Sequence, residues 1–229
     1  MPVRDGGYAS IVLRAAAALA LVAWVAEGAA EWPTFRADIG RTGRAEQALS
    51  ENPSVLWACD LGGSVDGSPV VLDQRVFVGN SHGRFACVAA ADGKLLWDTH
   101  LDGAVCSAAA ADGQRIVVGT SRGFLYCLSP GGKMLWRLHC WDAVVASPLI
   151  LGDRCFWGSM DGVLHCAALA SGQELWTCQL SGGISAAPAS DGKVIFVADE
   201  AGDIWAIRPS DGSIVWRYQS ECPAMAAPV

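Results

Sequence analysis

The sequence predicts an all-β fold, a β-propeller of four-stranded antiparallel blades with about four complete blades in a partial or open ring. Three observations predict it. Tryptophan recurs at a fixed interval, glycine and proline recur in register with it, and each interval holds four short segments rich in β-branched or aromatic residues. Four strands in a repeat of this length are typical of a propeller blade.

The tryptophan spacing sets the length of the repeat. Five of the ten tryptophans are separated by 40, 39, 40 and 40 residues, namely Trp57, Trp97, Trp136, Trp176 and Trp216. A regular interval of this size indicates repeated supersecondary units. Because an indole buries roughly 150–250 Å², we expect each of these tryptophans to lie on an outer strand and to wedge between neighbouring blades.

Glycine and proline follow the same interval. A glycine stands four residues before each tryptophan from the second onward, at Gly93, Gly132, Gly172 and Gly212. A second series comprises Pro69, Ala108, Pro148, Pro188 and Pro228. Proline cannot donate to a strand ladder and suits an edge strand, so we place this series in the innermost strand of each blade.

The first repeat illustrates the four strands, which we predict at residues 68–71, 76–78, 85–88 and 95–97. Turn residues such as Asp92-Gly93 separate them. The complete blades are predicted at about 65–99, 105–138, 144–178 and 184–218. A lone outer strand is expected at 55–59, and residues 224–229 begin a fifth blade.

The first thirty residues are typical of a secretory signal peptide. Arg4 and Arg14 precede an apolar run at 15–26, and small residues follow at 28–30. The run falls short of the roughly 20 apolar residues that span a bilayer. We therefore expect cleavage after Ala30 and a mature chain that lies in the periplasm or is secreted, without a transmembrane segment. Residues 31–54 would form a lead-in strap before the propeller.

Composition and charge exclude several function classes. With 52% hydrophobic and 17% charged residues, the chain is not a disordered, solvating one. Its 16 basic and 23 acidic residues give a net charge of −7. A nucleic-acid partner requires clustered lysine and arginine, so none is expected.

Two segments, 79–83 and 119–123, match the G-x-S-x-G pattern of a hydrolase nucleophile elbow. That elbow lies between a strand and a helix. Here both segments occupy the predicted turn between the second and third strands, where the third and fourth repeats read GSMDG and ADEAG. We interpret them as turns and expect no catalytic residue.

The nine cysteines and four histidines lack the spacing of a metal or redox site. The sequence has no C-x-x-C, and its histidines show no i,i+2 or i,i+4 pair. Cys87, Cys127 and Cys166 share one position of the repeat, where the fourth repeat has Ala206. A buried thiol behaves as a small apolar group, so we expect a packing role for these cysteines and no bound metal.

Several segments resemble the pyrroloquinoline-quinone-like (PQQ-like) propeller repeat. They are residues 119–128 (GTSRGFLYCL) and 132–136 (GKMLW). Residues 32–36 (WPTFR) and 40–43 (GRTG) are similar to the lead-in before the first blade of secreted bacterial members. The resemblance covers about residues 31–229. It implies the fold but leaves activity open, since the family includes quinoprotein dehydrogenases, the outer-membrane assembly propeller lipoprotein and secreted proteins of unassigned role.

Members of this family have seven or eight blades, so four blades amount to roughly half a ring. Two alternatives follow from this count. The chain is a fragment of a longer propeller, or it is a half-propeller that pairs with a second copy. Both predict exposed edges and apolar surface at the terminal blades, and therefore self-association.

The first function class is a non-catalytic scaffold that binds a protein, an envelope component or another ligand. Propellers bind partners through loops on one face. The loops that join consecutive blades supply the candidate binding residues Asp66, Asp102, Trp141, Asp142 and Glu221. Trp141 lies outside the repeated series and is the strongest candidate for an anchor; the alternative is that it packs over the end of a blade.

The second class, implied by the resemblance, is part of a quinone-dependent dehydrogenase. Such enzymes hold their cofactor with a stacking tryptophan, basic groups, calcium ligands and often two adjacent cysteines. This chain has no adjacent cysteines, and its predicted inner strands, such as 146–149 and 185–188, carry small residues. Half a ring would also not enclose the cofactor. We therefore expect no enzyme activity and neither PQQ nor calcium.

Overall fold

The computed structural model describes residues 31–44 and 52–220. The predicted signal peptide with its cleavage site, the predicted start of a fifth blade and Glu221 lie outside these residues. Within them the chain forms sixteen strands in four sheets, and every sheet has four antiparallel strands in sequence order. This confirms the predicted all-β fold with about four blades.

The strands of the first blade are β1 (Val70–Leu72), β2 (Arg75–Gly79), β3 (Arg84–Ala89) and β4 (Leu95–His100). The second blade has β5 (Ala110–Ala111), β6 (Ile116–Gly119), β7 (Phe124–Leu128) and β8 (Met134–His139). The third has β9 (Leu149–Leu151), β10 (Arg154–Gly158), β11 (Val163–Ala168) and β12 (Glu174–Gln179). The fourth has β13 (Ala189–Ser190), β14 (Ile195–Ala198), β15 (Asp203–Ile207) and β16 (Ile214–Gln219).

The hydrophobic core lies between neighbouring blades. Phe77 and Phe85 of the first blade pack with Ile116 and Val118 of the second. Equivalent clusters join the second blade to the third and the third to the fourth. A single blade therefore has no closed core of its own, and burial of its apolar residues requires a neighbour.

The proline series lies just outside the innermost strands, which corrects the prediction that it lies within them. Pro69, Pro148 and Pro188 each directly precede the first strand of a blade. At that position the missing N–H is not needed by the ladder. Proline therefore marks the entry to the inner strand.

Strand register corrects the second member of that series. Val70 pairs with Phe77, and Ala110 pairs with Val117. Ala109, and not Ala108, consequently occupies the position of Pro69. The second repeat is one residue shorter because the missing residue belongs to the turn between β7 and β8, beyond the inner strands.

A β-bulge recurs next to each outer strand. Cys87 is the register partner of Trp97, and the register shifts between Cys87 and Val88. The same shift follows Cys127, Cys166 and Ala206. The bulge places one extra residue in the outer strand, which explains why two consecutive side chains, Leu95 and Leu96, are both exposed.

The predicted lone outer strand at 55–59 is wrong. Apart from an isolated bridge at Cys59, this segment has no regular structure. None of the sixteen strands pairs with it, and a strand requires a hydrogen-bonded neighbour. Trp57 nevertheless reaches the first blade, because its Nε1 donates to the carbonyl oxygen of Ala90 at 2.8 Å.

Candidate functional site

Residues 31–44, which we call the strap, run along the inner edges of the blades. Trp32 and Val71 exchange two backbone hydrogen bonds of 2.7 and 2.9 Å. Ala111 N donates to Pro33 O at 2.8 Å, and Ser190 N donates to Ile39 O at 2.7 Å. Val71, Ala111 and Ser190 occupy the same position of three repeats, so the strap satisfies the edge donors of the first, second and fourth blades.

Arg41 fixes the strap to the third and fourth blades. Its side chain is fully buried. Nε donates to Pro188 O at 2.9 Å, and Nη2 donates to Pro148 O at 3.0 Å. Burial lowers the pKa of Arg41 to about 10, although nearby Asp38 opposes this shift, so the guanidinium remains charged at neutral pH. Its charge is stabilised by the carbonyl groups of Pro148 and Pro188, which directly precede inner strands, and by that of Phe35 in the strap.

The strap turns sharply between Trp32, which pairs with Val71, and Arg41, which binds the third and fourth blades. Arg36, Ala37 and Arg41 have positive φ values of 56°, 74° and 58°. Such values are unfavourable for residues with a side chain and persist where surrounding contacts enforce them. This turn brings Phe35 and Arg36 beneath the ends of the inner strands.

A cleft of about 400 Å³ opens above this turn. Its wall is built from the residues that precede the innermost strand of each blade, so all four repeats contribute equivalent positions. The lining residues are Phe35, Arg36, Asp66, Gly67, Ser68, Cys106, Ser107, Ala108, Val145, Ser147, Ser185, Ala186 and Ala187. The cleft thus lies where the chain enters the blades.

The predicted binding residues are not brought together. Of the four that the structure describes, Asp66 alone lines the cleft. Asp102 is exposed, but its carboxylate accepts hydrogen bonds from Tyr126 Oη at 3.0 Å and from Arg137 at 3.2 Å. It therefore links two strands of the second blade.

Trp141 and Asp142 lie on the loop between β8 and β9. Trp141 is 95% exposed, which excludes packing over the end of a blade. The Asp142 carboxylate accepts a hydrogen bond of 2.7 Å from Ala143 N, within the same loop. Among the candidates, Trp141 is thus the one large apolar side chain fully presented to a partner.

The first four tryptophans of the repeat series each lie against the following blade. Their Nε1 atoms donate to backbone carbonyls at 2.8–3.1 Å; the pairs are Trp57 with Ala90, Trp97 with Pro130, Trp136 with Leu169 and Trp176 with Pro209. Trp216 differs, because it is 44% exposed and its indole has no acceptor within residues 31–44 and 52–220.

A buried polar cluster in the third blade was missed by sequence reasoning. Ser159 Oγ lies 3.3 Å from His165 Nε2, and His165 Nδ1 lies 3.0 Å from a Glu174 carboxylate oxygen. This order matches that of a nucleophile triad. However, Ser159 is fully buried and its hydroxyl donates to Asp161, so no substrate carbonyl can approach it.

The described part of the chain also contains thiols and other side chains of the types that bind metals. It holds no group of three or more His, Cys, Asp or Glu side chains arranged to bind a metal. Its eight cysteines are all free thiols. Burial raises the pKa of Cys87, Cys140 and Cys166 to about 11, which keeps these thiols protonated and unreactive.

Residues 31–44 and 52–220 contain no helix of the length and apolar character needed to cross a membrane.

Comparison with solved structures places this architecture among propellers. BamB from Moraxella catarrhalis superposes with a TM-score of 0.69 at 19% identity, over 76% of this chain and 55% of BamB. Quinohemoprotein alcohol dehydrogenase ADHIIG from Pseudomonas putida HK5 gives 0.74 at 15% identity, over 85% and 40%. The chain spans about half the length of these natural proteins.

The computationally designed Ika4 protein matches this chain over nearly its whole length. The superposition covers 99% of Ika4 and 69% of this chain, at 17% identity and a TM-score of 0.63. At these identities the likeness shows the fold alone.

Sequence comparison identifies the family, which the structural superpositions alone do not. No curated protein shows a significant match. The family model described as outer membrane protein assembly factor BamB matches residues 41–127, 107–169 and 121–229, which together cover most of the chain. The chain therefore belongs to this family of PQQ-like β-propeller proteins.

Proposed function

We propose that the chain is a non-catalytic β-propeller scaffold of the periplasm or the extracellular space, which binds a protein partner through Trp141. The exposed indole of Trp141 is the observation that carries this proposal. Tryptophan is strongly enriched among residues that dominate binding energy at protein interfaces. A side chain of this size, 95% exposed, is costly to leave in water unless a partner covers it.

The repeat itself does not require a tryptophan at this position. The equivalent residues of the other repeats are Gly62, Asp102 and Ser181. All of these are small or polar, and the blades that carry them have the same strands. Trp141 is therefore an addition to the fold and not one of its structural requirements.

The loop that carries Trp141 is held at both ends. Cys140 is buried and its N–H donates to Gly123 O at 2.7 Å, while the buried Val144 donates to Thr120 O at 3.0 Å. In addition, Trp157 Nε1 donates to Cys140 Sγ at 3.2 Å. Anchoring of this kind lowers the entropy lost when a partner orders the loop.

The location and partner class rest on the family. Membership in a family described as outer membrane protein assembly factor BamB supports an envelope location and a protein partner. The predicted signal peptide supports the same location.

Site-specific photo-cross-linking in the envelope of the native host tests this proposal. A photoreactive residue at position 141 should yield a discrete adduct. The matched control is position 153 in the turn between β9 and β10, where the Asp153 side chain is 97% exposed. The purified partner should bind the Trp141→Ser chain at least about tenfold more weakly. Equal adducts at both positions, or unchanged affinity, would overturn the proposal.

Part of a quinone-dependent dehydrogenase is the second candidate, raised by neighbours such as the europium-containing methanol dehydrogenase, which has a TM-score of 0.74 and 14% identity. The cleft does not fit PQQ, which carries several carboxylates. Among its described lining residues, Arg36 is the one cation, Asp66 adds a negative charge, and there is no tryptophan. Reduction of a dye by the chain with added PQQ, calcium and an alcohol would favour this candidate over the scaffold.

A further inference from the structure

Two opposite charges face the same cleft without a partner. The Arg36 guanidinium and the Asp66 carboxylate both line it. Across residues 31–44 and 52–220, neither side chain makes a hydrogen bond or an ion pair. Other carboxylates of this chain, such as Asp102 and Asp203, are paired with arginines. Within the described residues, Arg36 and Asp66 therefore each present an unpaired charge to the cleft.

The strap holds Arg36 in place. Gly43 has a φ of +66°, and a Cβ on it would lie 3.3 Å from Arg36 Nε. The backbone carbonyl of Arg36 accepts hydrogen bonds from Asp38 N at 3.0 Å and Gly43 N at 2.9 Å. The Arg36 guanidinium thus packs against the backbone of Gly43, which has no side chain to obstruct it, and lines the cleft.

Asp66 stands on the opposite element, at the entry to the first blade. Cys106, Val145 and Ser185 occupy its position in the other repeats. The negative charge is therefore confined to one side of the wall. Burial raises the pKa of the Cys106 thiol, and the charge of Asp66 adds to this shift, so the neighbouring cysteine stays neutral.

Between the two charges the wall is neutral. Ser147 Oγ accepts a hydrogen bond of 3.1 Å from Ala108 N, which leaves its own O–H proton available to a ligand. Ser68 and Ser185 contribute further hydroxyls, and Val145 and Ala187 contribute apolar surface. Hydroxyls both donate and accept, so they suit the amide groups of a peptide bond.

We propose that this cleft binds a small zwitterion, an amino acid or short peptide, with its carboxylate at Arg36 and its ammonium group at Asp66. Guanidinium groups match the geometry of a carboxylate. A volume of about 400 Å³ is sufficient for such a ligand. A neutral polyol would use the hydroxyls but leave both charges unpaired. This inference goes beyond the scaffold proposal and does not depend on Trp141.

Isothermal titration of the purified chain with L-alanine and with L-alanyl-L-alanine tests the proposal. We expect saturable binding of at least one of them, and the stronger of the two identifies the ligand length. The N-acetylated and C-amidated forms of that ligand each lack one charge. They should bind at least tenfold more weakly, and this comparison needs no protein variant.

Variants then assign each charge to its residue. Asp66→Asn should weaken binding of the free ligand at least tenfold but leave the weak binding of the N-acetylated form unchanged. Arg36→Gln should weaken binding of the free ligand at least tenfold but leave the weak binding of the C-amidated form unchanged. Arg36→Lys should retain part of the affinity for the free ligand. Asp153→Asn is the matched control, because it removes a charge that is 97% exposed and outside the cleft.

Several results would overturn the proposal. They are the absence of binding at millimolar concentration, equal affinity for the charged and blocked forms, or binding of maltose in place of the zwitterions. Loss of affinity in Asp153→Asn equal to that in Asp66→Asn would also contradict it. None of these results bears on cross-linking through position 141, so the two proposals fail independently.

Discussion

The indole Nε1 of Trp97 donates a hydrogen bond to the carbonyl oxygen of Pro130, 2.9 Å away across the boundary between the first and second blades. The ring also covers Gly132, because a Cβ placed on that glycine would lie 2.7 Å from Cδ2 of the indole. Trp57, Trp136 and Trp176 make the same pair of contacts with the blade that follows. One local geometry thus joins neighbouring blades at three boundaries and, through Trp57, attaches the preceding segment to the first blade.

Replacement of Gly132 by alanine should lower the free energy of unfolding by about 3 kcal/mol or more. The residue has a φ of +83°, which costs a residue with a Cβ about 1–2 kcal/mol, and the new methyl group would collide with the Trp97 ring. Gly152→Ala is the control, since Gly152 has a φ of +61° but nothing within 4 Å of the added Cβ. Urea unfolding of both variants separates the clash from the backbone cost. Equal losses would contradict the packing of Trp97 on Gly132.

Removal of an interblade indole should cost far more than removal of Trp216. Trp136→Ala deletes a half-buried ring and its hydrogen bond to Leu169 O at 3.0 Å, and truncations of this kind cost about 3–5 kcal/mol. Trp216→Ala removes a ring that is already 44% exposed, so we expect a loss of about 1 kcal/mol. Chemical denaturation monitored by circular dichroism measures both. Comparable losses would show that Trp216 has a partner of similar strength.

Loss of the buried guanidinium should release the strap. Arg41→Met would leave the carbonyl oxygens of Pro148 and Pro188 without their donor, and each buried acceptor left unsatisfied costs about 1–3 kcal/mol. Arg44→Met is the control, because Arg44 is exposed. Limited proteolysis should cut the strap of Arg41→Met faster than that of Arg44→Met. Equal rates would show that backbone pairing alone holds the strap.

The stability of the chain should fall as the pH rises above about 9. Burial raises the pKa of the Cys87 and Cys166 thiols from 9.0 to about 11. Between these values the native state keeps protons that the unfolded chain releases, so the free energy of unfolding decreases with pH, whereas below pH 9 these thiols add no pH dependence.

Alanine variants isolate this thiol contribution. Cys166→Ala introduces the residue that the fourth repeat already has at Ala206. It should reduce the slope between pH 9 and 11 by up to about 1.4 kcal/mol per pH unit. The measurement is urea unfolding at several pH values with a reductant present. An unchanged slope would place the ionisation of Cys166 close to that of the unfolded chain.

Self-association of the chain remains a prediction, and the fourth blade is where we expect it. All six residues of β16 are exposed, whereas β4, β8 and β12 each have two that are half-buried. Trp216→Lys should therefore raise the monomer fraction in light scattering, and Trp141→Ser should not. A wild-type chain that stays monomeric at high concentration would contradict an open terminal blade.

The blades could be predicted from the sequence because their signal repeats. The tryptophan interval and the turn glycines locate four strands in each repeat, and the observed strands follow that order. The position of the single missing residue follows from the same series, because segments 79–83 and 119–123 are 40 residues apart whereas Gly93 and Gly132 are 39 apart. The register of Ala110 with Val117 agrees and puts Ala109 at the proline position.

The strap and the cleft could not be predicted from the same patterns. Residues 31–44 occur once, so nothing in the repeat indicates that Arg41 is buried or that Trp32 pairs with Val71. The sequence contains one weak indication of the strap. This segment is not repeated, contains arginine and precedes blades whose inner strands are edge strands. Asp66 was found because it breaks the repeat on the correct loop, but its relation to Arg36 depends on where the strap turns.

The attachment of Arg41 has a consequence for the order in which the protein is assembled. The guanidinium binds carbonyls that lie 107 and 147 residues further along the chain. During synthesis the strap emerges long before those acceptors exist, and closing loops of this length is entropically costly and slow. Arg41 is therefore made early but reaches its native contacts only after Pro148 and Pro188 have been made. Arg41 can bind both carbonyls only when the third and fourth blades are present. In a chain interrupted before Pro188, Arg41 would lack a buried acceptor, and the strap would be open to proteases.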